Sequence, residues 1–271
     1  MQPRAVSAWT SRNLASALYL TAIFAFLYVP ILVLILLAFN DSQMTSFPFR
    51  GFTIQWFDVL MQDEAILRGL YNSFIVALWA TGIAVVVGTM TAYALLRYRF
   101  RGRIVIAVLT LLPVIVPKTV LGLSILTLTS HLHLSRSLVT VIFGHALICL
   151  PFVIIIVGSV LIRVDKGLIE AARDLGASEF LTFRKVVLPL ILNGIVAGAF
   201  VAFILSFAEF NLSFFLSGRE QTLPLVIFSE FRFEITPKIN ALSAAMVTAS
   251  IALTVAAEYL RARRGRASKA S

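Results

Sequence analysis

The chain is 271 residues long, 59% hydrophobic and only 13% charged, with a formal net charge of +10. A soluble globular domain runs about 45–50% apolar and about 25% charged, so these values exclude an ordinary soluble domain and point to the membrane. The single cysteine, Cys149, excludes a disulfide framework and, inside an apolar run, reads as a packing thiol.

Crossing a bilayer core about 30 Å thick takes about 20 apolar residues as helix. The first such run, 14–39, follows an N-terminal tail, 1–13, that carries Arg4 and Arg12. It is too long for a signal-peptide core and no cleavage pattern follows, so it is expected to remain as a span. The second run, 71–96, leads into the short loop 97–103 with Arg97, Arg99, Arg101 and Arg103. The third, 104–128, contains Pro113 and Pro117, both expected to disrupt backbone bonding, and Lys118 near its middle. Interrupted spans are tolerated where they line a cavity or pack in protein. In the loop 129–137, His131 and His133 have H-x-H spacing but no third ligand nearby, so no metal site is expected. The fourth run, 138–162, places His145 beside Gly144 and reads as holding a packed, hydrogen-bonded histidine rather than a proton relay.

The loop 163–189 is unusually polar for this chain. Leu168, Ile169, Ala172 and Leu175 cluster at helical spacing over 165–175, and Gly176 suits the left-handed position that closes a helix. Ser178 is a good N-cap for a second short helix through Phe180, Leu181, Phe183 and Val187, ending at Pro189. Two helices joined at a glycine elbow are expected to sit in another protein's groove; an interfacial position on lipid headgroups is the other reading. The fifth run, 190–215, holds Glu209 with Ser206, Asn211 and Ser213. Ionisable residues at membrane depth are functional candidates by default. Lys118 and Glu209, with Ser206, Asn211 and Ser213, are therefore expected to line a translocation path; a buried Lys118–Glu209 ion pair without ligand contact is the other reading. A sixth run, 240–260, is rich in Ala and uncharged up to Glu258, and a basic tail, 261–271, follows it.

The expected fold is all-α, a single transmembrane domain of six helices over 14–260. The two tails and the loops 97–103 and 163–189 hold sixteen of the 23 Lys and Arg residues, and the alternate loops hold six. The positive-inside rule then puts both termini and the polar loop in the cytoplasm. The basic excess is topological, and no nucleic-acid partner is expected. No G-x-x-x-x-G-K-[ST] loop is found and no nucleophile–base arrangement stands out, so no ATP site, catalytic residue or cofactor is expected in this chain.

Glu170-Ala171-Ala172, then Gly176 after three residues, then Val186, Leu188 and Pro189, resembles the EAA loop of permease subunits of binding-protein-dependent ABC importers. That pattern carries Ile where this chain has Val186. The resemblance implies the type I, MetI-like permease fold. It also implies that the loop between spans four and five is the coupling element for an ATP-binding subunit, with Glu170, Ala171, Ala172, Asp174, Gly176, Ser178, Glu179 and Phe180 at the contact. The implied partners are a second permease subunit, two copies of the ATPase and an external solute-binding protein, around a multi-pass protein of the bacterial inner membrane.

Further stretches, "PFRGFTIQWF" (48–57), "YRFRG" (98–102), "DLGASEF" (174–180) and "TLPLVIF" (222–228), are similar to the second permease of spermidine/putrescine importers. That similarity implies a polyamine-type solute. In that subfamily the position after the span-three Pro is usually acidic and span five usually offers two adjacent acids; here the matching residues are Lys118, Ala208 and Glu209. Like charge repels strongly at low dielectric, so Lys118 fits a zwitterionic or anionic solute, such as an opine, an amino-acid derivative or an aminophosphonate. An ion-driven secondary transporter is the reading from another class, but it leaves the EAA pattern unexplained and no internal repeat supports it.

Overall fold

The computed structural model describes residues 4–43, 48–233 and 236–267; for 4–15, 233, 253–258 and 260–267 only the backbone is described. The remaining parts of the two predicted tails lie outside the described residues. The described residues form helices α1 (Arg4–Ala38), α2 (Gln55–Gln62), α3 (Glu64–Arg97), α4 (Arg103–Ile115), α5 (Lys118–His131) and α6 (Leu138–Leu161). They continue as α7 (Lys166–Asp174), α8 (Glu179–Thr182), a π-helical turn over Phe183–Val187, α9 (Leu188–Phe207), α10 (Asn211–Leu216), α11 (Leu223–Phe233) and α12 (Pro237–Ala267). Among them there is no strand, only an isolated bridge between Asn40 and Phe52.

Among the described residues, four helical stretches are long and apolar enough by themselves to cross a membrane: Ser16–Ala38, Glu64–Arg97, Leu138–Leu161 and Glu179–Phe207. They cover the first, second and fourth predicted spans and most of the fifth. Residues of α1 such as Leu18, Tyr19, Phe26 and Leu32 are all more than half exposed, as a helix apolar on every side requires of its surroundings. α12 covers the predicted sixth span, although the side chains of 253–258 within it lie outside the described residues.

The third predicted span is not straight. α4 and α5 meet at an angle of 111°. Val116 is extended (φ −73°, ψ 131°) and so is Pro117 (ψ 129°), because proline has no N–H and disfavours helical geometry in the residue before it. Pro113, expected to disrupt as well, instead lies buried inside α4. The fifth predicted span, 190–215, is also divided: α9 stops at Phe207 and α10 begins at Asn211.

The chain forms two compact units, Ala65–Phe228 and the pair of segments Met1–Glu64 with Ser229–Ser271. In the first, the core runs through Val76, Ala84, Ala92, Val141, Cys149, Val153, Val157, Ile191, Ala202, Leu212 and Leu216. Small residues let its helices approach closely, the usual device where lipid offers no hydrophobic contrast. A Cβ at Gly88 would stand 2.9 Å from a Val153 methyl, and one at Gly194 would stand 2.8 Å from a Val160 methyl.

In the second unit Ala38, Ala241 and Ala244 pack with Ile35, Phe39, Trp56 and Phe57. Asn40 folds the following loop: its side chain accepts from Arg50 N at 2.8 Å and its carbonyl accepts from the Trp56 indole at 2.9 Å. Lys238 donates to Asp63 at 2.6 Å and lies 2.9 Å from Glu230. Burial opposes its charge, but the two carboxylates prevail and raise its pKa above the ordinary lysine value.

Candidate functional site

Two arrangements carry the residues singled out by the sequence. The first is built where two spans break. Lys118 is the first residue of α5, directly after the bend, and Glu209 lies in the turn between α9 and α10. Their side chains meet at 2.5 Å, with Lys118 46% exposed and Glu209 2% exposed. Glu209 is thus not within a helix, as the predicted continuous fifth span would have it. Its Oε2 receives the ammonium, and its Oε1 accepts from the backbone N–H of Asn211 at 2.9 Å and of Leu212 at 3.3 Å. A buried carboxylate is costly unless paired and hydrogen-bonded, and here one side chain ends one helix break and neutralises the base at the other. The base needs that partner, because a cation at a helix N-terminus opposes the helix dipole.

Around the pair lies a polar network of interior side chains. His145 of α6 meets Ser206 Oγ through Nδ1 at 2.9 Å and Ser213 Oγ through Nε2 at 3.0 Å. Ser213 Oγ donates to the Glu209 carbonyl at 3.1 Å. His145 is therefore packed and hydrogen-bonded, as its sequence setting suggests. Ser206 and Ser213, expected along the path, are 2% and 0% exposed and turn toward the histidine. Asn211 enters through its backbone N–H. Two glycines seat α10: a Cβ at Gly122 would meet the Phe215 ring at 2.7 Å, and one at Gly144 would meet Leu216 at 2.6 Å. The joining of Ser206, His145 and Ser213 was not legible in the sequence, where 61 residues separate the histidine from the first serine. Its one signal was a histidine beside a glycine in an apolar run.

The second arrangement is the polar loop. Asp165 caps α7 by accepting from Gly167 N at 2.9 Å. Gly176 takes φ +82° directly after the helix end, with its N–H donating to Arg173 O at 2.8 Å. Ser178 caps α8, accepting from Leu181 N at 3.3 Å. The glycine elbow and the serine cap are those read from the sequence. The second helix differs, passing from α8 into the π-helical turn before α9. Of the predicted apolar cluster, Ile169 is buried, whereas Leu175 is 89% exposed and the neighbouring Phe180 is 70% exposed. Glu170, Ala171, Asp174 and Glu179 are exposed, and Ala172 is half-buried.

Glu179 pairs with Arg173 at 2.5 Å and accepts from the Tyr98 hydroxyl at 2.9 Å. Burial, followed by that hydrogen bond, pushes the Tyr98 phenol up to about 12, so it stays a donor throughout the physiological range. Tyr98 also stacks edge-on against Tyr93, whose ring meets Phe183 at 4.8 Å. Tyr98 was not among the predicted site residues.

An all-helical chain with membrane-length apolar helices, two broken spans and a charged pair at the breaks has the make-up of a membrane permease. The profile of the family described as binding-protein-dependent transport system inner membrane components matches residues 84–266. The chain is 35% identical over 243 residues to the spermidine/putrescine transport system permease protein PotC of Escherichia coli (strain K12), covering 89% of this chain and 92% of PotC. It is 33% identical over 248 residues to the putrescine transport system permease protein PotI of the same strain, covering 89% of this chain and 88% of PotI. Its fold superposes with a TM-score of 0.73 on the crystal structure of a bacterial ABC transporter involved in the import of the acidic polysaccharide alginate, at 15% identity, covering 96% of this chain and 98% of that one. The chain belongs to the binding-protein-dependent transport system inner membrane component family and is a permease subunit of an ABC importer.

Proposed function

We propose that this permease forms one half of the translocation path of a polyamine importer, with Lys118 and Glu209 on that path. The observation that carries the reading is their ion pair. A lone lysine at membrane depth would repel a polyvalent cation. With its charge balanced by Glu209, it no longer argues against the solute that the names of PotC and PotI indicate for those relatives. The 46% exposure of Lys118 favours a second reading, in which the ammonium meets the anionic group of a zwitterion. Uptake of labelled spermidine and putrescine by the complete transporter in proteoliposomes decides between them. Polyamine uptake resistant to excess opine, amino-acid derivative or aminophosphonate is expected. Uptake of those competitors alone would overturn the polyamine reading.

In this reading the single permease domain of 14–260 crosses the bacterial inner membrane six times, with both tails cytoplasmic. The loop 163–189 docks into the ATP-binding subunit through Glu170, Ala171, Ala172, Asp174, Gly176, Ser178, Glu179 and Phe180. ATP is hydrolysed by two copies of that subunit, so this chain is no enzyme. A second permease completes the path, and a solute-binding protein delivers from outside. The segregation of basic residues supports the orientation. Reporter fusions after residues 60, 135 and 225 are expected to read external, and a cytoplasmic signal at any of them would break this map.

A further inference from the structure

The break in the fifth span contains neither proline nor glycine, so something other than backbone chemistry holds it open. Within the turn, the Glu209 N–H donates to Ser206 O of α9 at 3.2 Å while its side chain accepts the first N–H groups of α10. The histidine of α6 adds a side-chain bridge from a third helix: Ser206 lies in the last turn of α9, Ser213 lies in α10, and His145 joins them through both ring nitrogens. The Glu209 carbonyl can only accept, and taking the Ser213 hydroxyl as its donor orients the rest of the network. Ser213 uses its single O–H on the Glu209 carbonyl, so toward His145 it can only accept. Nε2 must then carry the hydrogen. In a neutral imidazole Nδ1 is left as an acceptor, which the Ser206 hydroxyl fills. The chain runs one way: Ser206 O–H to Nδ1, Nε2–H to Ser213 Oγ, and Ser213 O–H to the Glu209 carbonyl.

We propose that His145, as the neutral Nε2–H tautomer, is a clasp across the broken span that positions Glu209 against Lys118. It is a positioning residue for the translocation path, and its action on solute rests on the proposed place of Glu209 in that path. His145 is 1% exposed and acts only through Ser213 and the Glu209 backbone. The two serines are therefore unequal. Removing the Ser213 hydroxyl cuts the link to Glu209, whereas removing the Ser206 hydroxyl cuts only the distal bond. Both are interior Ser→Ala changes of the same volume, so a difference between them reports the link to Glu209 and not packing.

The test uses the complete transporter carrying His131→Gln and His133→Gln, which leaves His145 as the one histidine of this subunit. Ring-labelling the histidine of this subunit and 15N NMR are expected to report a neutral Nε2–H imidazole. Ser213→Ala is expected to raise the spermidine KM about threefold to eighteenfold, the range that one hydrogen bond is worth inside a helical membrane protein, with kcat and membrane abundance near those of the parent. Ser206→Ala should raise it less, and His145→Leu at least as much as Ser213→Ala. A hydrogen on Nδ1, equal effects of the two serine variants, or an unchanged KM in Ser213→Ala would each overturn the clasp. Absence of spermidine uptake by the parent protein would instead sink the polyamine reading, while the NMR measurement still decides the tautomer.

Discussion

Lys118→Met is expected to cost this permease more than Glu209→Gln, and both are expected to lower solute uptake at least about tenfold. The asymmetry follows from exposure: Glu209 is 2% exposed and Lys118 46%. Without the ammonium, a buried carboxylate keeps only two backbone N–H donors; with Lys118 half exposed, the cost falls below the about 3–5 kcal/mol of a fully buried pair. Without the carboxylate charge, the half-exposed ammonium can turn outward, and the side-chain amide that Glu209→Gln introduces still offers an oxygen to the N–H groups of Asn211 and Leu212. That loss should be about 1 kcal/mol, the net value of an ordinary hydrogen bond. Exchanging the charges is a poorer test, because a lysine at position 209 cannot accept from those two N–H groups. Uptake and thermal stability at matched membrane abundance check the prediction. Near-normal uptake by Glu209→Gln would leave the pair a purely structural one.

Gly176→Val is expected to abolish uptake while the protein still inserts, and Glu170→Lys to do the same by another route. Gly176 sits at φ +82° with no atom within 4 Å of where a Cβ would stand. The obstacle is therefore backbone strain and not space, about 1–3 kcal/mol for a residue forced into that region and worst for a β-branched one. Asparagine tolerates the left-handed region, so Gly176→Asn should retain most of the uptake and serves as the control. Glu170 is exposed on α7, and reversing its charge alters the proposed docking surface without disturbing the fold. Co-purification of the ATP-binding subunit and solute uptake are the measurements. Normal uptake in both Gly176→Val and Glu170→Lys would remove this loop from coupling.

The long apolar helices, the glycine elbow and the Ser178 cap were legible in the sequence because each depends on residues within a few positions of one another. Apolar runs set helix length, a left-handed turn after α7 calls for Gly176, and a serine before α8 satisfies a free N–H. The interruption near Pro117 was legible for the same reason. Which proline bends the chain was not: Pro113 is absorbed inside α4, and the 111° turn occurs at Pro117. The break before Asn211 was hidden, because neither proline nor glycine marks it. It exists because Lys118 neutralises Glu209, Glu209 accepts the first N–H groups of α10, and His145 reaches a serine on each side. Those partners come from α5 and α6, and the Gly122 and Gly144 positions let α10 come close enough for contact. A sequence states that a carboxylate, a base, a histidine and two serines are present at membrane depth; only packed helices decide that, in the absence of water, each must satisfy another.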